Sequence, residues 1–363
     1  MKLAEKKIFL LYIFYSVIFL FLTTKHINLD QIIWDYNQRD IESYIIIAND
    51  FPLLPENNEI INKHIAQRFF IHYIVGASSQ VLNIEIFLAY KIFTFLFIGI
   101  LIYLIFFLTI KFKLNLNESI LFFSLFFFNP YTIRYHLFNP AQAHDLVYFI
   151  CSFYFAYGII SDDKKLYSFA SLFALLTRQT AIALVAASFI KISLLKKKKI
   201  KNLILYTSFF LIFFLIIKNS GDYIAKANFY FKYAYGIIFY DFTQIEKLLR
   251  FIFLPVVSFF PILVIFFAKI KDNLYMPNIL IMAFACILMI GQPIAAGPEG
   301  ADRNIVRIAT LCYPILVSLI FYGLTFKKFC QNKILLILFL IGLQLWSLHP
   351  TFSITKIFSI LRF

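Results

Sequence analysis

Apolar runs recur along this chain too often, and at too great a length, for one water-soluble core to absorb them. "KIFLLYIFYSVIFLFL" begins at residue 7 and "IFLAYKIFTFLFIGILIYLIFFLTI" at 86, and the series ends with "ILLILFLIGLQLWSL" at 334. A bilayer core is about 30 Å thick and takes roughly 20 apolar residues in helical form. Of 363 residues 61% are hydrophobic, 48 are Phe, only 15% are charged, and the mean hydropathy is +0.81. A soluble fold would leave much of that surface wet, and the strict alternation of a membrane barrel is missing. The expectation is an all-α, polytopic transmembrane helical bundle, a single integral membrane domain over 1–363. Spans are expected near 8–23, 87–110, 117–132, 145–160, 166–178, 180–195, 202–217, 251–268, 274–293, 305–326 and 334–348, about eleven in all.

The net charge of +15 raises the question of nucleic acid. The basic residues sit in short clusters between apolar runs, where they orient a membrane protein, so no nucleic-acid partner is expected. The start, "MKLAEKKIFLLYIF", reads as a retained signal anchor with a cytoplasmic N-terminus. On that topology Lys111, Lys113, Lys164, Lys165, Lys191, the run Lys196 to Lys199, Lys269, Lys271, Lys327 and Lys328 all fall inside. Arg39, Arg68, Arg134, Arg178, Arg250, Arg303, Arg307 and Arg362 all fall outside. Lysine suffices as a point charge for orientation, whereas guanidinium is a planar fork suited to phosphate. The split points to an outward-facing anionic ligand, with snorkelling to head groups as the plainer account of Arg250 and Arg362. Cys151, Cys286, Cys312 and Cys330 show no CxxC or metal-ligand spacing, so neither disulfides nor structural zinc are expected.

Polar chemistry collects in four outer segments, 24–86, 133–144, 218–249 and 294–304. In the first, "ESYIIIAND" and "AQRFFIHYIVGASSQVL" are expected as two juxtamembrane helices. Asp40, Tyr44 and Ala48 recur every four residues and share a helical face, while Glu42 points roughly 160° from Asp40. Asp40 reads either as a helix N-cap or as a catalytic carboxylate. His144 and Asp145 stand where another span begins, and an acid at such a boundary is costly unless paired or wet. Arg178 lies in a short turn between apolar runs, and Arg303 and Arg307 are four residues apart, able to share a face after the Gly-rich "GPEGAD". The third segment offers Asp222, Tyr223, Lys226, Tyr230, Lys232 and Asp241, a mixture too unspecific to assign.

A long first outer loop with an early acid, the Asp40-x-x-x-Tyr44-x-x-x-Ala48 face, a second acid at Asp145 and an arginine, Arg178, ending a later span together resemble the C-type polytopic membrane glycosyltransferases. These include the protein O-mannosyltransferases and the lipid A aminoarabinose transferase. The chain departs from the pattern in having Asp40 and Glu42 separated rather than an adjacent acidic pair. The resemblance implies a GT-C-like bundle in the cell inner membrane with its site on the periplasmic side. It implies an inverting hexosyl- or pentosyltransferase that moves a sugar from a polyprenyl-phosphate-linked donor to a glycan, lipid or protein acceptor. Asp40 would be the catalytic base and Asp145 the supporting acid. Glu42, Tyr44, His144, Arg178, Arg303 and Arg307 would bind substrate, with a divalent cation left open. A lipid-linked saccharide polymerase or ligase is the alternative enzyme, and a lipid or saccharide flippase the alternative of another class.

Overall fold

Where no water meets the backbone, every N–H and C=O needs a partner within the chain, and a helix supplies these partners locally. The computed structural model is accordingly almost all α-helical. It describes residues 3–25, 39–55, 58–195, 199–227, 236–239, 248–249, 251, 259–272, 274–300 and 305–348. The helices are α1 (Leu3–Lys25), α2 (Arg39–Asn49), α3 (Lys63–Ala66), α4 (Phe69–Leu82), α5 (Ile86–Lys111), α6 (Leu116–Phe127), α7 (Tyr135–Phe138), α8 (Ala143–Ile160), α9 (Lys164–Leu175), α10 (Ile182–Ser193) and α11 (Lys199–Ile224). They continue as α12 (Met276–Gly300), α13 (Ile305–Thr310), α14 (Tyr313–Gly323), α15 (Lys327–Gln331) and α16 (Lys333–Leu348).

Among the described residues four stretches are long and apolar enough to cross a membrane: Ile86–Lys111, Pro140–Ile160, Lys199–Ile224 and Met276–Gly297. That is compatible with a membrane protein. Several other expected spans are shorter or broken. The run at 117–132 stops at Phe127, because Asn129-Pro130 diverts the chain into a π-turn, Pro130–Arg134. The runs at 166–178 and 180–195 become helices of 12 residues each, α9 and α10, only about 18 Å long. The run at 305–326 is split at Leu311–Cys312 into α13 and α14, with Pro314 at the start of the second piece. Within 251–268, residues Phe260–Phe267 form a 3-10 helix opened by Pro261 rather than an α-helix. The 133–144 segment is no open loop: α7 and the 3-10 turn Pro140–Gln142 fold it inward, with His136, Pro140, Ala141 and Gln142 buried. All four cysteines are free and buried.

The main core is aromatic. Phe122, Phe126 and Phe153 meet edge to face between α6 and α8, and Tyr12 of α1 stacks on Phe123 while its hydroxyl donates to the Ser119 carbonyl at 2.7 Å. A second, smaller apolar cluster forms where Ile41, Tyr44, Ile47 and Ala48 of α2 meet Val75 of α4 and Tyr90 of α5. The expected juxtamembrane helices are thus α2 and α4, and the four-residue spacing does turn Tyr44 and Ala48 inward.

Helix direction separates the charges. α8 carries Asp145 in its first turn and ends at Ile160. Beside that end Asp162 pairs with Lys191, whose Nζ also donates to Asn278 Oδ1 at 2.7 Å. At the same end Glu118, in a capping box with Asn115, accepts from the Thr325 hydroxyl and the Phe326 N–H at 3.0 Å each. Arg68, Arg178 and Arg307 gather at the opposite end.

The α2–α4 packing gives a test. A Cβ at Gly76 would strike the Ala48 carbonyl, whereas one at Gly99 would meet nothing within 4 Å. Gly76→Ala is expected to cost about 1–3 kcal/mol through overpacking. Gly99→Ala is expected to be neutral or slightly stabilising, since it removes a helical glycine. Thermal unfolding of the two variants in detergent reads the contrast; equal midpoints would mean that α2 and α4 are not in this contact.

Candidate functional site

Asp145 stands in the first turn of α8, where free N–H groups favour a carboxylate, and it is fully buried. A buried carboxylate requires a matching charge. Arg178 supplies it. The chain leaves α9 and becomes extended at Arg178 (φ −156°, ψ 144°) before the 3-10 turn Gln179–Ala181, which lays the guanidinium fork on the acid. Nε donates to Oδ1 and Nη2 to Oδ2 at 3.0 Å. Both carboxylate oxygens are therefore engaged, and Asp145 in this arrangement orients a guanidinium rather than waiting for a proton.

Arg307, buried on α13, brings its Nε to 4.0 Å from Asp145 Oδ2 and donates through Nη1 to the Tyr135 hydroxyl at 2.7 Å. Arg68, just before α4, donates to the Tyr44 hydroxyl at 2.7 Å and to Gln179 Oε1 at 3.2 Å. Tyr44 in turn stacks on His72, with centroids 4.1 Å apart and planes 11° off parallel, and meets the edge of His144 at 4.9 Å. His144 Nε2 lies 3.2 Å from Asp145 Oδ1. Burial holds the Tyr44 phenol above its ordinary pKa despite the opposing pull of Arg68, so it is a neutral partner. Tyr90 fixes the unit from behind, donating to the Tyr44 carbonyl at 3.0 Å and lying 2.8 Å from His72 Nδ1.

Of the residues singled out from the sequence, Tyr44, His144, Asp145, Arg178 and Arg307 come together. Asp40 lies beside them. It is half-buried inside the first turn of α2, which starts at Arg39, and its charge is felt at Tyr44, His64 and Arg307. Among the described residues no hydrogen bond or ion pair engages its carboxylate. Glu42 is half-buried and joins none of these contacts. Arg303, Tyr230, Lys232 and Asp241 lie outside the described residues. Asp222 is at the end of α11, paired with Lys63.

Arg68 and His64 belong to the cluster as well, although from the sequence Arg68 stands out only as one of the eight outer arginines and His64 does not stand out on its own. Their signal was the spacing in "HIAQR", four residues apart and thus on one side of a helical turn. The His64 imidazole is pushed down to about 4, first by burial and then by Arg68, Arg178 and Arg307, with Asp40 opposing. It is neutral at physiological pH. Gln179 Nε2 donates to the His64 carbonyl and to Gln67 Oε1, the latter at 3.0 Å, closing the network on α3. Among the described residues no group of three His, Cys, Asp or Glu side chains is arranged to hold a metal ion.

No protein-family model, curated protein or solved structure matches the chain. The site is therefore read from its own chemistry.

Asp145→Asn should leave the Arg178 guanidinium buried without its counter-charge, at a cost of about 3–5 kcal/mol. The variant is expected to show a sharply lower unfolding midpoint in detergent. Asp145→Leu combined with Arg178→Met should recover most of that loss, because no lone charge remains. A single variant as stable as the parent would mean that the fork is not formed.

Proposed function

We propose that this chain is a C-type membrane glycosyltransferase that moves a sugar from a polyprenyl-phosphate-type donor to an acceptor at the outer face of the cell inner membrane. The observation that carries the reading is the gathering of three guanidinium groups at one end of an apolar bundle: Arg178 and Arg307 at the buried Asp145 carboxylate, and Arg68 beside them through Tyr44 and Gln179. With Asp145 counted, positive charge is in excess there. Guanidinium forks in a partly dry setting suit a phosphate group, and they stabilise it most as it departs with the bonding electron pair. Asp40, half-buried beside them and engaged by no hydrogen bond or ion pair among the described residues, suits the complementary task.

On this reading the acceptor hydroxyl oxygen attacks the anomeric carbon as the bond from that carbon to the phosphate oxygen breaks. The hydroxyl proton passes to Asp40 and the electron pair leaves with the phosphate, with inversion at carbon. Asp145 holds Arg178 in place throughout. The apolar bundle keeps the lipid chain out of water, consistent with a donor that arrives laterally. The remaining features follow as parts of the same proposal: about eleven crossings or partial crossings, a cytoplasmic N-terminus, lysine-bearing turns inside and the arginine end outside.

Two substitutions test it in purified protein of matched monodispersity. Asp40→Asn is expected to abolish transfer with insertion and abundance unchanged, whereas Glu42→Gln is expected to do much less. Arg307→Ala is expected to weaken donor use by about 1.5–3 kcal/mol, or roughly ten-fold to more than a hundred-fold, with Arg307→Lys intermediate. Full transfer activity in Asp40→Asn would remove the base, and unchanged donor dependence in Arg307→Ala would remove the phosphate contact.

A further inference from the structure

Around Asp145 stand buried polar groups of which several atoms meet no partner among the described residues. Both amide atoms of Gln142, Nδ1 of His144, Nε2 of His72 and Nε of Arg307 are in this state. Gln142, His144 and His72 are all fully buried. They are close neighbours. Gln142 immediately precedes α8 and lies three residues from Asp145, on the same side of the turn. The His72 and His144 rings are 5.2 Å apart, and Arg307 Nε reaches to within 4.0 Å of Asp145. Both ring nitrogens of His136, whose charge is coupled to Asp145, are unmet as well. Among the other described residues unmet buried atoms occur singly, on Gln344 Nε2 and on hydroxyls such as those of Ser124 and Tyr167, whereas around Asp145 they gather on amide and imidazole groups. Buried donors and acceptors are ordinarily paired, so such a gathering marks a place where another molecule supplies the partners.

The kind of atom left unmet selects the chemistry. A phosphate only accepts hydrogen bonds and would leave the Gln142 carbonyl oxygen unmet. A neutral imidazole and an amide each offer both a donor and an acceptor, which is what a hydroxyl group also offers. We infer that Gln142, His144 and His72 form a subsite for the hydroxyls of a sugar ring, next to the arginines that take its phosphate. The two halves of the site lie side by side, as sugar and phosphate do in a glycosyl phosphate. This inference rests on reading the arginine cluster as a phosphate site, and it adds the residues that distinguish a sugar-bearing carrier from a bare one.

The test is equilibrium binding of two lipids to the purified full-length protein in detergent: polyprenyl phosphate, and the same lipid carrying glucose, mannose or galactose, each tried in turn. The parent is expected to hold one glycosylated lipid at least roughly tenfold tighter than the bare lipid, the factor that one or two added hydrogen bonds supply. Gln142→Met, similar in size but without the amide, should erase that preference and leave bare-lipid binding unchanged. Arg307→Ala should weaken both lipids together. If Gln142→Met does not fold, Gln142→Asn retracts the amide by one methylene and should reduce the preference in the same direction. A parent that binds bare and glycosylated lipids equally would overturn the sugar subsite, leaving water as the partner of these atoms and the phosphate reading standing. Retention of the full preference in a folded Gln142 variant would overturn it too. A parent that binds neither lipid would overturn both readings.

Discussion

The forked pair between Asp145 and Arg178 is the constraint on which the polar end of this bundle depends. Each partner is too costly to bury alone. Together they tie the start of α8 to the turn after α9, and those two helices are antiparallel neighbours joined by a short turn. Once Arg178 is held, Gln179 is held as well, and its amide reaches Arg68, Gln67 and the His64 carbonyl. The segment carrying α2, α3 and α4 is thereby docked on the bundle by side chains rather than by a long stretch of backbone. The small apolar cluster beneath α2 and α4 does the rest, with Tyr44 in both systems: its ring is packed in the cluster and its hydroxyl accepts from Arg68.

This division explains which parts of the architecture were legible in the sequence. Helical class follows from apolar runs and needs no tertiary information, and the runs at 87–110, 145–160, 202–217 and 274–293 correspond to the four stretches long and apolar enough to cross a membrane among the described residues. The placement of α2 was legible too, because the spacing of Asp40, Tyr44 and Ala48 encodes a face directly. Span boundaries were less so. Hydropathy at 305–326 is continuous, yet Pro314 and the turn at Leu311–Cys312 divide it. The 133–144 segment is polar enough to read as a loop, yet its polar groups are taken inside.

The site was legible where a charge stood against its surroundings and illegible where the chemistry depended on packing. Asp145, Arg178 and Arg307 are conspicuous because each interrupts or borders an apolar run. Arg68 and His64 carry only a four-residue spacing, which many solvated pairs share, so their roles emerge when packing brings them beside Tyr44 and Gln179. Gln142 is quieter still: an uncharged residue after a proline gains meaning only when the turn Pro140–Gln142 carries it into the interior. Asp40 raised the opposite difficulty, since one residue type serves as cap and as base. The helix start at Arg39 places it within the first turn, where the dipole supports its charge without using its oxygens as a cap.

The outer end of α11 carries a consequence of its own. This helix has 26 residues and shows most of its surface, Leu211 and Phe214 among it, outward. At about 39 Å it is longer than a bilayer core of about 30 Å, so in a membrane it would be accommodated by tilting. Its last turn is fastened to the site: Asp222 pairs with Lys63, the following residues run beside Asn58–Asn62, and Gly221 lies so close to Gln67 that a Cβ there would stand 2.9 Å from Gln67 Cγ. Gln67 is the residue that receives Gln179. In a bilayer, the tilt of this helix would therefore bear on the same amide that holds Arg68 in register with Tyr44.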